Sequence, residues 1–192
     1  MSLPRLLVLT DRTQCRDSLT ATVATAVDAG ARAVVLREKD LPFAERARLA
    51  TELQALLAPV AGVLVWAGAA GSGGRAAVHL SAADPLPTPR PGWLGRSCHT
   101  AAELARARSE GCDHAFLSPV FLTASKPGHG PALGLTRLAE LVPHGPPVYA
   151  LGGIGPDDVA GCLAAGAWGV AVMGGVMRDP SSVRDHLAAL TG

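Results

Sequence analysis

The sequence predicts a single (β/α)8 TIM barrel over residues 1–192, with shortened helices after strands three and four. Three observations predict it. Eight short apolar runs recur along the chain. They are continuous, not alternating, as strands covered on both faces are. Helix-like segments separate most of them, and repeated βα units build a parallel sheet. Such units also allow an open doubly wound sheet, and the count of eight favours the closed barrel. At 192 residues the chain is economical, because a full barrel usually takes about 250.

The elements follow in order. Leu6–Thr10 is the first strand. Ser18–Ala29 has helical apolar spacing and stops at Gly30, a good C-cap. Ala33–Arg37 is strand two, Phe43–Leu57 an amphipathic helix closed by Pro59, and Gly62–Trp66 strand three. Ala77–Leu80 and Trp93–Ser97 are strands four and five. The links flanking strand four, 67–76 and 81–92, are rich in Gly and Pro and hold at most a turn of helix. Thr100–Glu110 is a helix with a capping pattern, Thr100 with Glu103, ending at Gly111. His114–Val120 holds strand six and Leu135–Leu141 a short helix. Val148–Leu151, the helix Asp157–Ala165, strand Gly169–Met173 and the helix Ser181–Leu190 complete the pattern.

Composition excludes several functions. Hydrophobic residues make up 48% and charged ones 17%, which excludes disorder. The net charge is +1 with no basic cluster, so no nucleic-acid partner is expected. No apolar run reaches a membrane span, and the first residues lack a signal-peptide pattern, so a cytoplasmic location without membrane partners is expected. Cys15, Cys98, Cys112 and Cys162 are far apart with no CxxC pair, and read as reduced thiols and not a zinc site. The expected partner is a small phosphate-bearing molecule. A homo-oligomer is compatible with the sequence.

In a barrel, functional residues follow the strands on the C-terminal face. Gly152-Gly153 after strand seven and Gly174-Gly175 after strand eight let a phosphate approach backbone N–H groups without a Cβ in the way. Tight turns alone would also use these glycines. Arg37 and Lys39 flank Glu38 after strand two and suit a diphosphate or second anion. The bland alternative is a surface ion-pair cluster with Glu38 and Asp40. Asp84 offers one carboxylate to magnesium or simply forms a turn before Pro85. Ser97 and His99 end strand five, and Thr123, Ser125, Lys126 and His129 lie on a long Gly/Pro loop suited to a lid. His99 and His129 are candidate bases, or else capping and solvated loop histidines. His79 reads as a packed barrel residue.

These strand ends, in this order, resemble the thiamin phosphate synthase and thiazole tautomerase family. The resemblance rests on Thr10-Asp11, LREK (Leu36–Lys39), VHL with Asp84 downstream, GRSCHT (Gly95–Thr100), Pro119–Lys126, ALGGI (Ala150–Ile154) and GVAVMGGV (Gly169–Val176). It implies a (β/α)8 barrel acting in thiamin biosynthesis. Synthases of the family join a hydroxymethylpyrimidine diphosphate to a thiazole phosphate with magnesium and release pyrophosphate. The resemblance puts Arg37, Lys39 and Lys126 at the diphosphate and Asp84 at a magnesium position. It puts Thr123, Ser125, Gly153 and Gly174 near the thiazole phosphate. No organic cofactor is implied.

Two departures stand out. The Asn-Asp pair usual after strand three is Trp66-Ala67 here, and Ser81-Ala82-Ala83 replaces the Gln usual before Asp84. Magnesium is therefore expected to bind weakly at best. The tautomerase branch needs no metal, but Pro119 stands where its catalytic His falls. Beside a synthase, a tautomerase-like isomerase and a non-catalytic phosphate binder remain open. Trp66 has three readings: filling the pyrimidine pocket, stacking on a ligand ring, or packing in the core under the Gly-rich link. A strand end pointing into the barrel mouth favours the first, and hence poor synthase activity.

Overall fold

The computed structural model describes residues 4–122 and 132–191. Eight strands close in chain order: β1 (Leu6–Leu9), β2 (Ala33–Leu36), β3 (Val63–Ala67), β4 (Ala77–Leu80), β5 (Trp93–Cys98), β6 (His114–Leu117), β7 (Val148–Leu151) and β8 (Gly169–Val172). Every pairing is parallel, and β1 joins β8 with Leu7 opposite Ala171 to complete the barrel. The expected TIM barrel is thus the observed one.

The helices are α1 (Leu19–Asp28), α2 (Phe43–Leu57), α3 (Ala101–Ser109), α4 (Gly134–Leu141), α5 (Val159–Ala164), α6 (Gly174–Arg178) and α7 (Val183–Ala189). No helix lies between β3 and β4, or between β4 and β5, as the Gly- and Pro-rich links predict. Ser18 caps α1 through its side chain, and Thr100 and Glu103 form the predicted capping box of α3. The sequence reading missed α6. It follows β8 after one residue, and its five positions leave no room for a helical apolar period.

The strands sort their side chains by alternation. Leu7, Leu9, Val35, Val65, Ala67, Phe116 and Tyr149 face into the barrel. Leu6, Val8, Leu36, Trp66, Leu80, Leu94 and Leu117 face outward, under the helices. Both layers are buried, which explains why the runs are continuous. Tyr149 lies wholly inside and reaches the lower rim, where its hydroxyl donates to the Pro4 carbonyl at 2.8 Å. Among the described residues no helix is long and apolar enough to cross a membrane. All four cysteines are free thiols, three of them buried.

Candidate functional site

Trp66 does not point into the barrel mouth. It belongs to the outward set, is 2% exposed, and donates its indole N–H to the Ala70 carbonyl at 2.8 Å. The Phe43 ring meets it edge-on at 6.1 Å. The Arg46 and Arg75 guanidinium carbons sit 3.7 and 4.4 Å from its ring centroid. The filled-pocket and ligand-stacking readings are therefore wrong, and the core reading is right. The reason is parity: the next residue, Ala67, takes the inward position at the end of β3. A methyl group leaves space in the mouth where an indole would have filled it.

Arg46 supports this end of the barrel from outside. It is 5% exposed, and one terminal nitrogen reaches the carbonyls of Leu36 at 2.7 Å and Ala67 at 2.5 Å. It thereby ties the last residues of β2 and β3 together. Burial pushes its guanidinium down to about 10, against the opposing pull of Glu38, so it stays charged at neutral pH. Sequence reasoning missed Arg46. Its signal was present, because Arg46, Ala50, Leu53 and Leu57 share the buried stripe of α2.

Beyond β2 the chain turns at Glu38–Leu41, and Arg37 and Lys39 part company. The Arg37 N–H donates to the Thr10 hydroxyl at 2.9 Å, and its charge helps lower Asp11 and Asp40. Lys39 helps lower Asp84 and His79 instead. An ion-pair cluster does form at Glu38 and Asp40, and Arg12 builds it. Its guanidinium donates to Glu38 at 2.9 Å and to both Asp40 oxygens, at 2.9 and 2.6 Å.

Lys39 and Asp84 meet at Gly68, which has φ +94°. A Cβ there would stand 3.3 Å from Lys39 Cε, 3.6 Å from Lys39 Nζ and 3.9 Å from Asp84 Oδ2. Glycine supplies both the left-handed backbone and the clearance. Asp84 Oδ2 accepts the Ser81 N–H at 2.7 Å. Partial burial works to raise the Asp84 carboxyl. The Ser81 hydrogen bonds and Lys39 outweigh it, and the group lies below its ordinary value.

The Asp84 loop is gripped from below by Arg96, another residue that sequence reasoning passed over. Arg96 is wholly buried, and one nitrogen donates to the carbonyls of Ser81, Ala82 and Asp84 at 2.9, 3.1 and 2.9 Å. Its Nε lies 2.7 Å from Glu110 Oε2, an ion pair without hydrogen-bond alignment. Inside the barrel, His79 is buried as expected and stacks on Phe116 at 3.7 Å. The Ser97 hydroxyl lies 3.0 Å from His79 Nε2. Ser97 is half-buried, so it connects this interior to the mouth.

His99 is exposed, and its Nδ1 donates to the Ser118 carbonyl at 2.6 Å, tethering the ends of β5 and β6. Only its Nε2 remains for chemistry. Thr123, Ser125, Lys126 and His129 lie outside the described residues.

Gly152 and Gly153 adopt φ +103° and +66° under the segment after β6. A Cβ on Gly152 would sit 3.0 Å from Pro119 Cα, and one on Gly153 would collide with the Leu122 carbonyl oxygen. Gly174 opens α6, and a Cβ there would come 2.5 Å from Gln14 Oε1. At Gly175 the space is open. The two turns therefore need glycine for packing, and Gly153 and Gly175 are also exposed.

Among the described residues no group of three or more His, Cys, Asp or Glu is placed to hold a metal. Asp84 offers a single carboxylate. Magnesium ordinarily takes one or two carboxylates plus substrate phosphates, so the residues do not form a site from protein groups alone.

Known proteins agree with this architecture. The family model described as thiamine monophosphate synthase matches residues 6–176. The thiamine-phosphate synthase of Methanoculleus marisnigri is 36% identical, over 96% of this chain and 95% of its own. That of Anaeromyxobacter dehalogenans is 38% identical, over 88% and 81%. The solved thiamine phosphate pyrophosphorylase from Pyrococcus furiosus superposes with a TM-score of 0.84 at 24% identity, covering 97% and 95%, and shows the same fold. By its sequence, this chain belongs to the thiamine monophosphate synthase family.

Proposed function

We propose that this chain catalyses the synthase reaction, joining hydroxymethylpyrimidine diphosphate to thiazole phosphate with release of pyrophosphate. The observation that carries this reading is the meeting of Lys39 and Asp84 at Gly68. A departing pyrophosphate gathers negative charge. A fixed cation stabilises that charge more than it stabilises the intact diphosphate, and so lowers the barrier. Arg37 is a second cation on the same loop. Asp84 would meet a magnesium ion carried in by the diphosphate. The outward turn of Trp66 supports a pyrimidine pocket that is open.

The thiazole phosphate would lie against Gly152–Ile154 and Gly174–Val176. Gly175 is exposed and has open space where a Cβ would stand, so an oxygen anion can approach the backbone of this turn. An anion is therefore expected there in crystals grown in phosphate. An anion elsewhere, with the backbone N–H groups of these turns already bonded within the protein, would contradict this placement.

The test is to incubate the protein with both substrates and magnesium and look for the coupled product. Turnover is expected, and its absence with intact substrates would overturn the proposal. Calorimetry of magnesium alone is expected to show only weak binding. Tight, stoichiometric uptake without diphosphate would mean that ligands beyond Asp84 exist. No observation favours an isomerase or a pure binding protein. Pro119 stands at the tautomerase base position, and the diphosphate set of Lys39 and Asp84 is useless to a simple phosphate binder.

A further inference from the structure

The barrel interior holds a polar chain that the proposed reaction does not account for. His79 Nδ1 lies 3.0 Å from His114 Nε2, and His79 Nε2 lies 3.0 Å from Ser97 Oγ. Both histidines are buried, at 4% and 1% exposure. His114 sits below, stacked on Trp93 at 4.5 Å with Tyr149 edge-on at 5.7 Å. Its ring fills the space beside Gly95, where any Cβ would collide with it. Its Nδ1 has no hydrogen-bond partner.

Burial pushes His114 down to about 3. Burial, followed by His114 and Lys39, holds His79 well below its ordinary value. Both rings are therefore neutral near pH 7, and each carries one N–H. Only two arrangements satisfy both short contacts. In one, His114 Nε2–H donates to His79 Nδ1, and His79 Nε2–H donates to Ser97 Oγ. The Ser97 hydrogen is then directed away from the chain. In the other, every donor is reversed, Ser97 donates inward, and His114 buries an Nδ1–H among aromatic rings with nothing to receive it. Orphaned buried N–H donors are rarer and costlier than under-used acceptors. The first arrangement therefore prevails.

We propose that His114 is a positioning residue: its Nε2–H sets the His79 tautomer and thereby makes the Ser97 hydroxyl a donor toward a ligand oxygen at the barrel mouth. Ser97 then has its O–H free for a hydrogen-bond acceptor, such as a diphosphate oxygen. The ligand half of this inference rests on the diphosphate site proposed beside Lys39. The tautomer half does not.

The test has two arms. Nitrogen-15 spectra of the histidine-labelled full chain are expected to show both rings as Nε2–H tautomers, with no ligand needed. An Nδ1–H form at either ring would overturn the proposal. The second arm measures the affinity for inorganic pyrophosphate in a double-mutant cycle. Loss of one hydrogen bond predicts that Ser97→Ala weakens binding about fivefold. His114→Phe, which touches no ligand, is expected to weaken it as well. The double variant should lose no more than Ser97→Ala alone. Fully additive losses would overturn the relay. If the unmodified chain does not bind pyrophosphate at all, the proposed reaction fails, and the tautomer spectra still decide the relay.

Discussion

Lys39→Ala is expected to lower synthase turnover by roughly 100- to 1,000-fold, the cost of removing one preorganised group that stabilises developing charge. Lys39 reaches the mouth beside Gly68, and Asp84 and His79 both feel its charge. Most of the loss should fall on kcat, because the charge it opposes grows as pyrophosphate departs. Thiazole phosphate affinity should barely change, since the turns proposed to hold it follow β7 and β8. Lys39→Arg should recover part of the rate, limited by a guanidinium that is larger than an ammonium. Steady-state kinetics with each substrate varied would check this. Near-normal turnover by Lys39→Ala would remove the residue from the reaction.

The second large effect is on stability. Trp66→Ala is expected to cost about 3–5 kcal/mol, the range for truncating a buried aromatic residue. Arg46 adds to the loss, because its guanidinium sits 3.7 Å from the indole centroid and would lose that partner. Urea unfolding measures the cost, with Trp66→Phe expected to be milder. Pyrimidine diphosphate affinity of the folded variant should stay close to that of the unmodified chain, since the indole faces α2. A gain in that affinity would revive the filled-pocket reading. A cost below about 1 kcal/mol would contradict the core packing. Trp93 and Trp168 also fluoresce, so circular dichroism is the cleaner probe.

The barrel was legible because burial on both strand faces leaves its mark in one dimension. Continuous apolar runs, Gly30 and Gly111 as helix stops, and the Thr100–Glu103 capping box all act over a few residues. Boundaries slipped where polar residues end an apolar run. Thr10 and Arg37 lie just beyond the strands to which they were assigned, and α1 begins after its cap Ser18. The short α6 was invisible because five residues carry no period.

The site was legible only as a set of strand ends. The sequence alone determined that Asp84 and the Gly152 and Gly174 turns would follow strands four, seven and eight, and that Ser97 would stand at the end of strand five, since order along the chain fixes order around a barrel. It did not determine which way Trp66 faces, because a shift of one residue exchanges the two faces of a strand. It also did not reveal that Arg12 takes Glu38 and Asp40, that Arg96 grips the Asp84 loop, or that His79 and His114 hydrogen-bond into one chain. Those partners lie 12 to 35 residues apart. Contacts across that separation depend on closure of the barrel, and only the tertiary structure brings them together.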